Sequence, residues 1–290
     1  MDEMTQRTVY VNGEYVAERD ARVSIFDRGF LLADGVYEVS SVLEGKLIDF
    51  PGHMGRLKRS AAELEMALPW DEKALLTIHR ELIRRNALAE GMVYLQLTRG
   101  SAGDRDFGYP DTDTPPTLVL FTQAKSLVDS RSGSEGIRVV TQPDWRWARR
   151  DIKTVQLLYP AMAKMAAKAA GADDAWMVED GMVTEGASNN AWMLTHDGTL
   201  VTRELSHAIL PGITRAVVLE IAEALSLRVE ERAFSVEEAQ SAKECFVTSA
   251  SSFVTPVIAI DDVSIGDGCP GEVARRLRAA YIEESRRRAI

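Results

Sequence analysis

The chain has 290 residues, 46% of them hydrophobic and 27% charged, with a formal net charge of −10. The acidic balance argues against nucleic acid or an anionic membrane as a partner. No stretch approaches the ~18–20 consecutive apolar residues of a membrane helix, and residues 1–7 lack the basic-then-apolar plan of a secretory signal. Two cysteines, Cys245 and Cys269, form neither a metal-binding spacing nor a disulfide framework. We therefore expect a cytoplasmic protein.

Strands and two helices are predicted for the first part of the chain. Short runs of alternating or β-branched residues predict strands at residues 8–11, 15–16, 35–43, 46–50, 93–99 and 117–122. Asn12-Gly13 is typical of a two-residue hairpin turn. Apolar positions three to four residues apart predict helices at 53–67 and 75–88. A loop rich in Gly, Asp and Pro follows at 100–116.

A polar stretch, residues 124–136, separates this part from a second set of elements. Strands are predicted at 137–141, 175–183, 191–201, 245–248 and 257–260, with turns inside the second and third ranges. Helices are predicted at 160–170, 214–225 and 273–287. The order lacks regular βαβ alternation, which indicates an α+β protein. We expect a small N-terminal α/β domain at 1–124, a linker at 125–136 and a C-terminal domain at 137–290.

Two charged residues stand in settings that suit chemistry. Lys153 is flanked by Ile152 and Val155, and apolar neighbours favour a neutral amine that can attack a carbonyl. A solvated lysine at a strand edge is the alternative. Glu185 is the one acid in a stretch rich in hydroxyl and amide side chains. It could hold a proton on a ring nitrogen, or it could be an ordinary turn glutamate.

Several segments could bind anions. Gly212 precedes a predicted helix whose first amides, those of Ile213 and Thr214, face an anion at the positive helix end. A strand leads into the small residues 249–252, three of which carry hydroxyls. Arg56, in a helix, and Arg105, in the long loop, could bind a phosphate and a carboxylate respectively. Ordinary turns and solvated arginines are the alternatives.

Considered together, these segments resemble those of the fold type IV pyridoxal-phosphate enzymes. That group contains D-amino-acid aminotransferases, branched-chain aminotransferases and aminodeoxychorismate lyases. The resemblance extends from about Tyr10 to beyond Pro256 and is carried by residues 34–39, 53–57, 151–153, 184–190, 212–215 and 248–252. The string Asp34-Gly35-Val36-Tyr37-Glu38-Val39 is similar to the D-amino-acid aminotransferase version of the first motif. The resemblance implies a two-domain α+β fold with cofactor binding in 137–290.

The resemblance also implies a role for each site residue. Lys153 forms a Schiff base with pyridoxal 5'-phosphate and moves the proton of the substrate α-carbon. Glu185 bonds the pyridine nitrogen, so that the ring acts as an electron sink, and Leu210 packs on the ring face. The phosphate is expected to bind Arg56, Ile213, Thr214, Ser249 and Ala250. The family is dimeric, so a homodimer is implied.

The resemblance further implies that Tyr37, Arg105 and Phe107 face the substrate. In D-amino-acid enzymes a histidine follows the loop arginine by two positions, and both bind the substrate carboxylate. Here Phe107 stands where that histidine is expected, and it cannot donate a hydrogen bond. The leading prediction is transamination between a D-amino acid, such as D-alanine or D-glutamate, and a 2-oxo acid, 2-oxoglutarate or pyruvate. The alternatives are an (R)-selective amine transaminase, a branched-chain L-amino-acid aminotransferase and aminodeoxychorismate lyase.

Overall fold

A computed structural model describes residues 7–290 of the chain. The prediction that the N-terminus is not a secretory signal concerns mainly residues 1–6, which lie outside this range. The chain forms two compact units. Of the described residues, the first comprises 7–126 together with Ile152–Gln156 and Arg288–Ile290, and the second comprises Leu127–Asp151 and Leu157–Arg287. Within residues 7–290, no helix has the length and apolar character needed to cross a membrane.

The first unit is built on an antiparallel sheet. Its strands are β1 (Thr8–Val11), β2 (Glu14–Ala17), β3 (Gly35–Leu43), β4 (Lys46–Leu47), β5 (Gly91–Thr98) and β6 (Thr117–Ala124). They lie in the order β2-β1-β6-β5-β3-β4. Its helices are α1 (Arg28–Leu32), α2 (Phe50–Glu63) and α3 (Glu72–Arg85). The core contains fully buried side chains from both helices and strands, among them Val36, Leu57, Leu82, Leu95 and Leu120.

The hairpin predicted at Asn12-Gly13 is confirmed. Both residues have positive φ, 47° and 104°, as a two-residue turn between right-twisted strands requires. The predicted return strand at 46–50 is too long, because pairing stops at Leu47 and α2 begins at Phe50 with Pro51 in its first turn. The same early start corrects the helix predicted at 53–67.

The second unit contains a mixed sheet in the order β12-β11-β10-β13-β14-β7-β8-β9, with β15 beside β14. Its strands are β7 (Ile137–Pro143), β8 (Asp174–Glu179), β9 (Met182–Gly186), β10 (Asn190–Leu194), β11 (Leu200–Thr202), β12 (Val229–Glu231), β13 (Glu244–Ser249), β14 (Phe253–Ile260) and β15 (Val263–Ser264). Its helices are α4 (Arg131–Glu135), α5 (Leu158–Ala169), α6 (Ile213–Ala224), α7 (Val236–Gln240) and α8 (Glu272–Arg288).

Helices packed with one antiparallel and one mixed sheet confirm the predicted α+β class. Sequence patterns did not predict the short elements α1, α4, α7, β12 and β15. Helix α4 lies inside the stretch predicted as a linker, where the Ser130 side chain accepts a hydrogen bond from the Gly133 amide and caps the helix. Residues Ile152–Gln156 belong to the first unit, although they lie within the range predicted for the C-terminal domain.

Candidate active site

Lys153 lies in a short extended segment that runs beside strand β3. The Tyr37 amide donates to the Lys153 carbonyl oxygen at 3.0 Å, and the Val155 amide donates to the Gly35 carbonyl oxygen at 3.0 Å. The Lys153 ammonium nitrogen lies 4.2 Å from the centroid of the Tyr37 ring, within cation–π range. The structure therefore brings together the predicted lysine and the predicted substrate-facing tyrosine.

Tyr37 begins a row of stacked aromatic rings on one face of the first sheet. Its ring centroid lies 5.5 Å from that of Tyr94, and Tyr94 lies 4.7 Å from Phe121. Tyr94, Phe121 and Val155 also line an open cavity of about 540 Å³ in the first unit. The cavity thus adjoins the segment that carries Lys153, and its aromatic and aliphatic walls suit an apolar substituent.

Arg56 takes part in a buried ion-pair network in the first unit. Its Nε and Nη2 atoms each donate to one oxygen of Glu38 at 2.7 Å, and His53 Nδ1 lies 2.8 Å from Glu38 Oε2. Burial acts to raise the pKa of Glu38, but the Arg56 charge and the hydrogen bonds lower it to about 2. Glu38 therefore fixes the direction of the Arg56 guanidinium, the group predicted to bind a phosphate.

Arg105 and Phe107 lie together on the loop between β5 and β6. The Arg105 guanidinium carbon is 4.7 Å from the Phe107 ring centroid, and Phe107 is 75% exposed. Arg28 Nη1 donates to the carbonyl oxygens of Asp106 and Gly108, at 2.7 Å and 2.9 Å. Arg28 therefore anchors the turn that presents both predicted substrate residues.

Glu185 is a buried carboxylate of strand β9 that accepts three hydrogen bonds in the second unit. The donors are Arg146 Nη1 at 2.5 Å, Asn190 Nδ2 at 3.0 Å and the Leu210 amide at 3.1 Å. Burial raises the pKa of Glu185 above its ordinary value, while Arg146 and the Leu210 amide act in the opposite direction. The backbone amide of Leu210 therefore places the Leu210 segment beside the predicted cofactor acid.

Arg146 was not predicted from the sequence. It also donates from Nε and Nη2 to the two oxygens of Asp144, at 2.8 Å and 2.6 Å, and the Thr184 hydroxyl donates to Asp144 Oδ2 at 2.7 Å. The arginine therefore lies between two carboxylates, of which one is Glu185. Only its place between two tryptophans, Trp145 and Trp147, distinguishes it in the sequence, and that pattern names no partner.

Asn190 connects Glu185 to the start of helix α6. Its Nδ2 donates both to Glu185 and to the Leu210 carbonyl oxygen, the latter at 2.9 Å. A Cβ on Gly212 would lie 2.0 Å from Asn190 Oδ1, so any other residue there would displace the Asn190 side chain. Gly212 precedes the helix without a side-chain cap, which leaves its first turn, with Ile213 and Thr214, suited to an anion.

The hydroxyl-rich turn at residues 249–252 lies beside the same asparagine. Strands β10 and β13 pair Asn190 with Thr248, directly before the turn that contains Ser249 and Ala250. The Ser249 and Ser252 hydroxyl oxygens are 2.8 Å apart. In the second unit, the structure therefore gathers Glu185, Leu210 and the predicted second phosphate turn around Asn190.

These residues fit the chemistry of pyridoxal 5'-phosphate. A buried carboxylate whose ionised form is favoured by an arginine and by amide donors suits a ring nitrogen that must keep a proton, and a helix start without a side-chain cap suits a phosphate. A lysine among apolar neighbours suits an aldehyde. Lys153, Tyr37, Arg56, Arg105 and Phe107 belong to the first unit, and Glu185, Leu210, Ile213, Thr214, Ser249 and Ala250 belong to the second.

Known proteins are similar in sequence to this chain over nearly its whole length. The D-alanine aminotransferase of Staphylococcus haemolyticus is 37% identical over 274 residues, which are 94% of this chain and 96% of that protein. The D-alanine aminotransferase of Bacillus licheniformis is 37% identical over 273 residues, 94% of this chain and 95% of that protein.

Solved structures agree on the fold. The Escherichia coli branched-chain amino acid aminotransferase gives a TM-score of 0.86 at 23% identity, covering 97% of this chain and 94% of that chain. The T.th. branched-chain amino acid aminotransferase, solved with pyridoxamine 5'-phosphate, gives 0.86 at 28% identity, covering 97% and 95%. The family model of amino-transferase class IV matches residues 35–260. The chain belongs to the class IV aminotransferases, enzymes that depend on pyridoxal 5'-phosphate.

Proposed function

We propose that the protein transfers an amino group between a D-amino acid, of the D-alanine or D-glutamate type, and a 2-oxo acid, either 2-oxoglutarate or pyruvate. The observation that carries this proposal is the 37% identity to D-alanine aminotransferases across 94% of the chain. The cofactor, when bound, withdraws electrons from the substrate α-carbon. The chain's own residues then bind, orient and move protons.

Lys153 Nζ is the group that takes the proton from the substrate α-carbon and returns it. The backbone bond from the Tyr37 amide to the Lys153 carbonyl fixes the base of the side chain, and the Tyr37 ring lies under the ammonium group. A general base needs this kind of fixed geometry more than it needs strength. Tyr37 therefore orients the lysine and borders the substrate.

Glu185 holds the proton on the ring nitrogen. Its carboxylate is 4% exposed and accepts bonds from Arg146, Asn190 and the Leu210 amide. Those donors favour the ionised form, and an ionised carboxylate favours a protonated ring. Arg56, Ile213, Thr214, Ser249 and Ala250 are proposed to bind the phosphate, and Leu210 to pack on the ring.

The substrate carboxylate is proposed to bind Arg105, with Phe107 bordering the same space. Phe107 is 75% exposed and offers no hydrogen bond to a carboxylate. Together with the largely apolar walls of the cavity beside Val155, this favours a second candidate function, transamination of (R)-selective primary amines. Branched-chain L-amino-acid transamination and aminodeoxychorismate cleavage rank after these two candidates.

We also propose that the protein acts as a homodimer in the cytoplasm. Helix α5 carries an exposed apolar stripe at one-turn spacing, with Leu158 at 77%, Met162 at 56% and Met165 at 61% exposure. Contiguous exposed apolar side chains of this kind mark interaction surfaces. A second copy of the chain is the proposed occupant, and the cytoplasmic location rests on composition.

The first prediction tests the substrate. We expect D-alanine or D-glutamate to convert the bound cofactor to its pyridoxamine form, which absorbance spectroscopy follows directly. L-leucine or (R)-1-phenylethylamine, added separately, should react much more slowly. Conversion by L-leucine but not by D-alanine contradicts the proposal, and conversion by (R)-1-phenylethylamine alone selects the second candidate.

Lysine variants complete this test. Lys153→Ala should abolish turnover, because no other group is proposed to move the substrate proton. Lys164→Ala is the control, since Lys164 lies on α5 and pairs with Asp174 at the surface. Equal loss of turnover in both variants would show that the wrong lysine has been assigned.

A further inference from the structure

The last helix, α8, buries an arginine that donates to four backbone carbonyls and to the Ser130 hydroxyl. Arg278 Nη1 donates to the Ser252 and Val254 carbonyl oxygens, at 2.8 Å and 2.9 Å. Nη2 donates to the Leu127 and Val128 carbonyl oxygens, at 2.5 Å and 2.9 Å. Burying a guanidinium is costly unless its donors are satisfied, so Arg278 holds both segments firmly.

One of these segments is the hydroxyl-rich turn at residues 249–252. Phe253, the next residue, has φ of 61°, a conformation that a bulky side chain rarely adopts. Strain of this kind persists only where the surroundings impose it, and it concentrates at functional sites. The Arg278 bonds on either side of Phe253, to Ser252 and Val254, supply that constraint.

Tyr281 lies one turn further along the same face of α8. Its ring centroid is 5.1 Å from that of Phe253, and its hydroxyl oxygen is 3.5 Å from Thr214 Oγ1 at the start of α6. Tyr281 is 1% exposed. Helix α8 therefore contacts the turn through Arg278 and the anion-binding helix start through Tyr281.

The start of α8 is fixed to the same hairpin. The Glu244 carboxylate, at the beginning of β13, accepts from the Val273 and Ala274 amides at 3.0 Å and 2.9 Å. A Cβ on Gly271 would lie 2.0 Å from Glu244 Cδ, so a larger residue there would displace the Glu244 carboxylate from the start of α8. The β13–β14 hairpin is therefore attached to α8 at its far end by Glu244 and at its turn by Arg278.

We propose that Arg278 and Tyr281 are positioning residues that set the spacing between the two phosphate-binding elements, the turn at 249–252 and the start of α6. The inference rests on the proposed function, because it takes both elements as phosphate ligands. Hydrogen bonds to a phosphate require narrow distances, and the two elements are far apart in sequence. A rigid connection such as α8 sets how well both fit one ligand.

The test compares two ligands that differ only in the phosphate. Apoprotein is titrated with pyridoxal 5'-phosphate and with pyridoxal, and the two dissociation constants are measured by tryptophan fluorescence. Both ligands carry the aldehyde that Lys153 engages. The dissociation constant of pyridoxal divided by that of pyridoxal 5'-phosphate therefore isolates the contribution of the phosphate. Arg278→Lys should reduce this ratio about tenfold, because an ammonium cannot bond four carbonyls in a plane. Tyr281→Phe should reduce it about threefold.

Arg275→Lys, an exposed change on the same helix, is the control and should keep the wild-type ratio. An unchanged ratio in both Arg278→Lys and Tyr281→Phe overturns the inference, as does an equal loss of affinity for both ligands. If Arg278→Lys does not fold, Tyr281→Phe, which removes one oxygen atom, decides alone. A wild-type protein that binds both ligands equally refutes the phosphate site itself, and with it the proposed function.

Discussion

Two buried glutamates have pKa values that their surroundings shift in opposite directions. Glu38 receives two bonds from Arg56 and one from His53, and its pKa falls to about 2. Glu185 receives one bond from an arginine and two from amide groups, and its pKa is raised by burial. Glu38 is therefore a fixed anion that orients a side chain, whereas Glu185 is suited to accept a hydrogen bond from a protonated ring nitrogen.

We expect Glu38→Gln to destabilise the fold by about 3–5 kcal/mol, the cost of leaving a buried charge without its partner. Because the folded pKa of Glu38 is below the unfolded value, its contribution is complete above pH ~4.3. It is lost as the pH falls through about 2. Chemical denaturation at neutral pH, and melting temperature across acidic pH, measure both effects.

Glu81→Gln serves as the matched control for this change. Glu81 also pairs with arginines, Arg84 and Arg85, but at the helix surface, where ion pairs contribute little. Its free energy of unfolding should stay near the wild-type value. If Glu38→Gln is equally harmless, the buried network does not hold Arg56 in place.

Arg146→Leu should raise the pKa of Glu185 further, because the opposing charge is removed while burial remains. Glu185 must be ionised to accept a hydrogen bond from the protonated ring nitrogen, so the acid limb of the pH profile of kcat/KM should move to higher pH. Steady-state kinetics across the pH range measure this shift. Arg138→Leu, which removes an exposed pair with Asp262, should leave the profile unchanged, and an identical profile for Arg146→Leu would contradict the assignment.

At the scale of elements, three parts of the second unit meet at one side chain. Asn190 bonds Glu185 of β9 and the carbonyl of Leu210 before α6, and it pairs with Thr248 of β13. Its Oδ1 occupies the place of a Cβ at Gly212. Because Gly212 has no Cβ, the start of α6 can lie close to Asn190, which bonds Glu185.

Gly212→Ala should displace Asn190 and weaken cofactor binding by roughly tenfold, about 1.4 kcal/mol. Titration of the apoprotein with pyridoxal 5'-phosphate measures the change. Gly55→Ala is the control: a Cβ at this helical position meets nothing within 4 Å, so it should gain ~0.5–1 kcal/mol of helix stability. Wild-type affinity in Gly212→Ala would mean that Asn190 can move without consequence.

Local patterns in the sequence predicted the long elements well. Strand β3 was predicted at 35–43 and is found at Gly35–Leu43, because its alternation and flanking turns are local signals. The roles of Lys153 and Glu185 came from the resemblance and stay predictions. Arg146, Asn190 and Arg278 were not predicted. Each makes a contact with a residue 20 to 151 positions away, namely Glu185, Leu210 and Leu127 respectively, and no local pattern encodes contacts of that range.

At the scale of the whole molecule, the exposed apolar stripe on α5 bears on self-association. The stripe on α5 exposes two methionines and a leucine at one-turn spacing, and methionine adapts well to a partner surface. A chain with a net charge of −10 repels its own copies. Apolar contact therefore has to outweigh that repulsion in a dimer.

Met162→Glu should convert the dimer to a monomer, because it buries a charge in the apolar contact. Light scattering should give a mass of 32.0 kDa for the variant, the mass of one chain, and twice that for the wild type. Leu205→Glu makes the same kind of change at another exposed apolar site, where the side chain is 55% exposed, and should stay dimeric. If both variants remain dimeric, α5 is not part of the dimer interface.

The segment Ile152–Gln156 has a consequence for the gene. It belongs to the first unit, although the chain on both sides of it belongs to the second. A gene fragment that ends at Ser126 encodes Gly35 and Tyr37, which bond this segment, but not Lys153. The remaining fragment encodes Lys153 without those bonding partners. Any break in the gene between the codons for Tyr37 and Lys153 therefore separates the lysine from its support, so the chain up to Gln156 has to be inherited and expressed as one piece.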